Sequence, residues 1–315
     1  MPNVVLKTEG LTKRYGSLTA VKNLTLEVYE GEVFGFLGPN GAGKTTSINM
    51  MCGLLKPDAG RVFVQGRAVS SATPEVRVRV GVCPQDIVVW KQLTCLEQLE
   101  FVGEMYGIGG REARRRGERL LDELDLADRR HKLARTLSGG MQRRLNLALA
   151  LVHDPDIVVL DEPEAGLDPQ SRVKVREYIR SLAHRKTVIL TTHNMDEADR
   201  LADRVAIIDH GELLVLDTPE ALKQSVGQGD VVEIDLNGQA VDGEQVRAAL
   251  AHLGGHAAPA VEHGRLTMRV LNAVGVLPAI LEGLAAAGLR AGQMRVRENT
   301  LEDVFIQLTG RRLRE

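Results

Sequence analysis

Disulfides have little to form from in this sequence. Its 315 residues include three cysteines, Cys52, Cys83 and Cys95, odd in number, widely spaced and without a C-x-x-C pair. That argues against a disulfide framework and a zinc site, and it fits a reducing compartment. An excess of either charge is also missing: 40 basic residues against 42 acidic ones leave a formal charge of −2. No global field therefore attracts nucleic acid or an anionic membrane, no nucleic-acid partner is expected, and any phosphate binding has to be local. Met1 to Gly10 carries Lys7 and Glu9 and lacks the apolar run of a secretory signal. The best candidate for a membrane span, Leu271 to Leu289, contains Asn272, Pro278 and Glu282. A carboxylate in hydrocarbon is costly, so this stretch reads as an amphipathic helix of a soluble domain. If the protein serves transport, the pore belongs to another chain. There is no internal repeat, no low-complexity tract and no sustained heptad pattern.

The length predicts one large domain and a smaller appendage. Short β-branched runs, such as Val33 to Leu37 and Ile157 to Leu160, alternate with helical patterns to about residue 220, the order of an α/β domain with a buried sheet. Between Leu93 and Leu151 strand signals vanish and a helical insertion is expected. Its arginines, Arg111, Arg114, Arg115, Arg116 and Arg119, are balanced by Glu112 and Glu118 and read as a solvated helix face. Glycine and polar residues at Ser225 to Asp230 place a boundary there, giving domains 1–228 and 229–315. The second domain reads as strand 231–236, helix 244–253, strands 257–262 and 266–271 around His263-Gly264, helix 276–287 and strand 293–297. That is the β-α-β-β-α-β order of a split βαβ domain, an α+β plan. A last helix starts at Thr300 with Asp303 completing a capping box.

The strongest local signal is Gly38-Pro-Asn-Gly-Ala-Gly43-Lys44-Thr45, a G-x-x-x-x-G-K-T loop directly after an apolar run. Average composition produces this pattern by chance in about one chain in a hundred of this length. Glycines let main-chain N–H groups close around phosphate oxygens, and the next helix turns its positive end toward them. Gly38, Asn40, Gly41, Gly43, Lys44, Thr45 and Thr46 are the candidate phosphate-binding residues. Lys44 meets the β and γ phosphates, and the Thr45 hydroxyl suits Mg²⁺. A second signal, Ile157 to Glu162, is an apolar strand ending in two adjacent carboxylates. Neighbouring strand residues point to opposite faces, so Asp161 can serve the metal while Glu162 serves the water that attacks the γ-phosphate.

Leu137-Ser138-Gly139-Gly140-Met141-Gln142 resembles the signature of ATP-binding cassette (ABC) ATPases. The resemblance runs in order from residue 4 to about 225: Tyr15, the phosphate loop, Gln85 after Val-Cys-Pro, the signature, Asp161-Glu162, Gly166-Leu167-Asp168 and His193. It implies a P-loop NTPase fold and a nucleotide-binding domain that uses ATP and Mg²⁺. It further implies that Tyr15 stacks on adenine and that Gln85 touches the metal or the lytic water and reports to the helical insertion. Ser138, Gly139 and Gly140 are expected to cover the γ-phosphate held by a second subunit. Asp168 is expected to couple the two sites across that dimer, and His193 to sense the γ-phosphate.

Met141 and Glu164 depart from the common pattern, the latter near the expected dimer contact. Asn299-Thr300-Leu301-Glu302-Asp303-Val304-Phe305, then Leu308-Thr309-Gly310, resembles the ending of ATPases serving drug, antibiotic and lipid exporters. Its apolar residues Leu301, Val304, Phe305 and Leu308 are expected to dock on their own domain. The implied protein is a homodimeric motor on separate transmembrane permease subunits at the cytoplasmic face of the membrane. Its second domain serves dimerisation or regulation. A soluble ABC ATPase with a non-transport partner is the alternative, though it typically joins two cassettes in one chain or carries long coiled coils.

Overall fold

The computed structural model describes residues 3–69, 78–227, 229–237, 243–251, 259–262 and 264–310. Two compact units divide after Thr218. The first unit carries the strands β1 (Val4–Tyr15), β2 (Leu18–Tyr29), β3 (Val33–Leu37), β4 (Ala59–Val64), β5 (Arg67–Ala68), β6 (Val80–Cys83), β7 (Ile157–Asp161), β8 (Thr187–Thr192), β9 (Arg204–Asp209) and β10 (Glu212–Asp217). β3, β7 and β8 are buried at every position, as expected of parallel strands covered on both faces. They form the centre of a six-stranded sheet, order β10-β9-β3-β8-β7-β6. All its pairings are parallel except β9 with β10.

Alternation along these strands divides the interior into two cores. Phe34, Phe36, Ile157, Val159 and Ile189 face the antiparallel sheet β2-β1-β4-β5 and pack with Leu6, Leu11, Leu24 and Val28. Val33, Val158, Leu160, Val188 and Leu190 point the other way and pack with Leu99, Leu121 and Leu145 of the helical insertion. That insertion holds helices Cys95–Met105, Gly110–Glu123 and Gly139–Leu151. Its arginine run is a solvated face: Arg115 and Arg116 pair with Glu112, and Arg114 with Glu118. All three cysteines are buried. Among the described residues no helix is long and apolar enough to cross a membrane.

The second unit has strands β11 (Asp230–Asp235), β12 (Ala260–Glu262), β13 (Arg265–Val270) and β14 (Met294–Arg297). They pair antiparallel in the order β12-β13-β11-β14. Helices Gly243–Leu250 and Ala273–Ala286 follow the first and third strands, which makes the split βαβ plan. Its core alternates along β11 and β13 (Val232, Ile234, Leu266, Met268, Val270) and takes Ile280 and Leu284 from a helix. The second of these helices starts three residues earlier than the sequence predicts, because the Asn272 side chain caps it at Gly275. His263 and the outer ends of the expected strand 257–262 and helix 244–253 lie outside the described residues.

Two expectations need correction here. The division falls at Thr218, not at residues 228/229, since helix Pro219–Ser225 belongs to the second unit. Asn299 Nδ2 donates to Lys223 O (3.3 Å) and Gly227 O (2.8 Å), tying the glycine-rich stretch into the unit it was expected to precede. Leu301, Val304 and Phe305 are buried, but Leu308 is 46% exposed. The capping box at Thr300 and Asp303 is present in both directions.

Candidate functional site

Three neighbouring parallel strands, β3, β8 and β7, end at the same edge of the sheet, where ligands of such sheets bind. Gly38, His193 and Glu162, far apart in sequence, are brought together there. After β3 the chain turns through Gly41 (φ 81°) and Gly43 (φ 100°). A Cβ on Gly43 would stand 2.3 Å from Ala20 O, and one on Gly38 2.4 Å from Ile208 O. Both glycines are required by main chain packed against main chain. Asn40 and Gly41 are exposed at the loop tip. Helix Lys44–Met51 starts from Gly43 with no side-chain cap. Its first N–H groups are thus left for an acceptor from outside, and Thr46 stands in that first turn. Helices that start at Thr94, Ser138, Asp168 and Asn194 are all capped by those side chains.

Lys44 is 6% exposed, and burial lowers its ammonium pKa against the raising influence of Glu162 and Asp161. Its Nζ donates to Gly38 O (2.8 Å) and Pro39 O (3.1 Å) and lies 3.6 Å from Glu162 Oε1. Thr45 Oγ1 donates to Asp161 Oδ2 at 3.0 Å, and the Thr191 hydroxyl donates to Asp161 Oδ1. Among the described residues no cluster of three or more His, Cys, Asp or Glu side chains is placed to hold a metal. Thr45 and Asp161 instead offer two hard oxygens beside a phosphate cradle. That donor set suits Mg²⁺, which completes its shell with water and phosphate.

Glu162 turns away from Asp161 because its backbone is left-handed (φ 46°). Its N–H donates to Thr191 O (3.1 Å) and Thr191 Oγ1 (3.0 Å). The carboxylate meets His193 Nδ1 at 3.0 Å on Oε1 and Gln85 Nε2 at 3.4 Å on Oε2. Gln85, Lys44, Asp161, Glu162 and His193 therefore form one connected group. A carboxylate held this way can accept a proton from water next to the phosphate cradle. Tyr15, at the end of β1, leaves its ring 49% exposed and open to stacking.

Ser138, Gly139, Gly140 and Asp168 form a separate cluster. Ser138 Oγ caps its helix at Met141 N (3.3 Å), and Asp168 caps the next one at Gln170 N (3.1 Å) and Ser171 N (3.0 Å). A Cβ on Gly140 would stand 2.2 Å from Ser171 Oγ, whereas one on Gly139 would meet nothing. Among the described residues no hydrogen bond joins this cluster to Lys44 or Glu162. Glu164 is turned inward and holds Arg176 through two bonds of 2.9 and 2.6 Å.

Sequence reasoning missed three residues that hold the site. Thr191 bridges both carboxylate positions. Arg143 donates to main-chain carbonyls behind them; two adjacent arginines opening the otherwise apolar run Leu145 to Leu151 were the available signal. Glu197, 3% exposed, accepts from Thr192 Oγ1 at 2.5 Å. Burial pushes its carboxyl up to about 8, against the opposing Thr192 bond. A carboxyl raised in the fold binds its proton more tightly folded than unfolded, so its contribution to stability is present below pH 4.5 and lost as pH rises toward about 8. Melting temperatures of the wild type and Glu197→Gln should therefore diverge across that window, the wild type losing more; a constant difference would show an ordinary carboxylate.

The sequence matches the family model described as ABC transporter over residues 21–165. It is 39% identical to the daunorubicin resistance ATP-binding protein DrrA3 of Streptomyces coeruleorubidus, covering 100% of this chain and 99% of the relative. It is 35% identical to the linearmycin resistance ATP-binding protein LnrL of Bacillus subtilis (strain 168), covering 99% and 100%. With the Nod factor export ATP-binding protein I of Ralstonia nicotianae it shares 40%, covering 99% and 95%. Among solved structures, a dimeric bacterial ABC transporter cassette superposes with a TM-score of 0.63 at 28% identity, covering 68% of this chain and 98% of that one.

Proposed function

The chain belongs to the ABC transporter family as the ATP-binding, ATP-hydrolysing subunit of an exporter, and from that premise we propose how its residues divide the work. Lys44 and the free N–H groups of the loop and of the first turn of its helix, Gly43 to Thr46, hold the β and γ phosphates of ATP, and Tyr15 stacks on the base. Thr45, Asp161 and Gln85 are the ligands for Mg²⁺, directly or through water; the ion's chemistry is to offset phosphate charge. Glu162 takes the proton of the attacking water, oriented by His193 and Gln85. Positioning and electrostatics, rather than covalent chemistry, supply the rate.

The observation that carries this reading is the division of the residues into two clusters. One, at the strand ends, has the base and the phosphate cradle. The other presents a helix start whose Ser138 and Gly139 are exposed, with Gly140 buried behind them against Ser171. A second copy resolves the division: each chain's helix start closes over the γ-phosphate in its partner's cradle, with Asp168 at the seam. Ser138→Arg should leave ATP affinity of the monomer within about threefold and abolish ATP-driven dimerisation, because the added side chain occupies the γ-phosphate cover. Nucleotide titration with size-exclusion chromatography measures both, and a variant that still dimerises with ATP and hydrolyses it normally would contradict the shared site.

For the membrane partner, the favoured surface is an apolar groove of about 250 Å³ in the first unit, lined by Leu54, Val80, Val88, Trp90, Val102 and Tyr106. Trp90 and Val88 remain 44% and 52% exposed. The groove adjoins the segment after Gln85, so a transmembrane subunit docked there would lie beside a residue that contacts the base. The relatives are named for daunorubicin resistance, linearmycin resistance and Nod factor export; a drug, lipid or other small molecule is the substrate class we assign. The second unit's polar ending is spent internally, on Arg297–Asp303 and Asn299–Lys223. Dimerisation or regulation by contact is the role we assign to this unit.

A further inference from the structure

We propose that Arg143 is a positioning residue for ATP hydrolysis, fixing from the signature helix the main chain on which Gln85 and Glu162 both stand. The guanidinium is 3% exposed. It has five N–H donors, and each is taken by a different main-chain carbonyl. Nη1 donates to Pro84 O and Gln85 O, both at 2.8 Å. Nη2 donates to Asp161 O (2.8 Å) and Glu162 O (2.6 Å), and Nε to Pro163 O (3.1 Å). Three segments far apart in sequence, the turn after β6, the end of β7 and the signature helix, thus meet on one rigid planar group.

The position gives this clamp its importance. Glu162 sits in a left-handed backbone (φ 46°), a conformation that a non-glycine residue keeps only when its surroundings impose it. Thr191 holds its N–H and Arg143 holds its carbonyl. Gln85, whose side chain reaches Glu162 Oε2 at 3.4 Å, has its own carbonyl on the same guanidinium. An apolar side chain would fill the space without burying a charge, but it would strip donors from all these carbonyls. Arg143 also stands five residues beyond Ser138 on one helix, so any shift of the helix that covers the partner's phosphate carries the base and Gln85 with it.

Arg144 supplies an internal control. It is equally buried at 5%, but it points the other way, donating to Leu124 O (2.6 Å) and Asp125 O (3.0 Å) within the helical insertion. The proposal rests on the roles given to Glu162 and Gln85 above. In the full-length chain, Arg143→Met should lower kcat about a hundredfold, the loss expected from misplacing reacting groups by about 1 Å, while ATP Kd stays within about threefold. Arg143→Lys, with three donors instead of five, should lose about tenfold. Arg144→Met should lower the melting temperature yet keep kcat per folded molecule within about twofold. Rates within twofold of wild type in Arg143→Met, or in Arg143→Lys should the former not fold, would overturn the proposal. So would an equal loss of kcat in Arg144→Met, which would mean general loosening of the helix. Failure of the wild type to bind ATP would instead overturn the reading of the site itself.

Discussion

Glu162→Gln is expected to lower ATP hydrolysis by about a hundred- to ten-thousand-fold, the usual contribution of a positioned general base. The exchange keeps size and most hydrogen bonding, so the left-handed turn and its bonds to Thr191 should persist. What disappears is the carboxylate's charge and basicity: of the two oxygens, 3.0 Å from His193 and 3.4 Å from Gln85, one becomes an NH2 group and the other a neutral amide oxygen. ATP should bind as before or more tightly, because a carboxylate 3.6 Å from Lys44 no longer competes with the γ-phosphate for the ammonium. Closure needs that phosphate and reopening needs its removal, so an ATP-dependent dimer should accumulate and elute early in size-exclusion chromatography. Hydrolysis near the wild-type rate, or the lack of such a dimer, would remove Glu162 from the role of base.

Lys44→Ala acts one step earlier and should raise the ATP Kd by about a hundredfold or more. A charge-assisted bond contributes about 1.5–3 kcal/mol, and two of them correspond to roughly two to four decades in affinity. The glycine turns should survive, since Gly38 and Gly43 stay packed against Ile208 O and Ala20 O although the lysine's bonds to Gly38 O and Pro39 O are lost. Titration with a fluorescent nucleotide separates the outcomes: unchanged affinity would mean that this loop is not the phosphate site.

Legibility from sequence tracked the kind of atom involved. The phosphate loop was readable because it needs glycines at fixed places, and Asp161 and Glu162 because a strand end fixes their order. The grouping of Gln85 and His193 with Glu162 was expected only through the family pattern; alone, each is an ordinary loop or strand residue, and the same holds for Tyr15. Arg143 was not readable, because its partners are carbonyls that every residue carries and sequence does not distinguish. The same applies to Asn299, whose bonds to Lys223 O and Gly227 O moved the boundary between the units. Glu164, singled out as a departure near a dimer contact, is engaged by Arg176 of its own chain. The buried strands at Val33–Leu37 and Ile157–Leu160 were legible as short apolar runs; the exposure of Leu308 was not.

The three buried cysteines give the molecule an experimental convenience. Burial holds the thiols of Cys52, Cys83 and Cys95 up at about 12, 11 and 11, so at neutral pH almost none is present as the reactive thiolate. A single cysteine introduced on the surface, for instance at the exposed Ser17, becomes the fast-reacting handle without any native cysteine having to be removed. Spectroscopic probes of opening and closing can therefore be attached with the three native cysteines left in place.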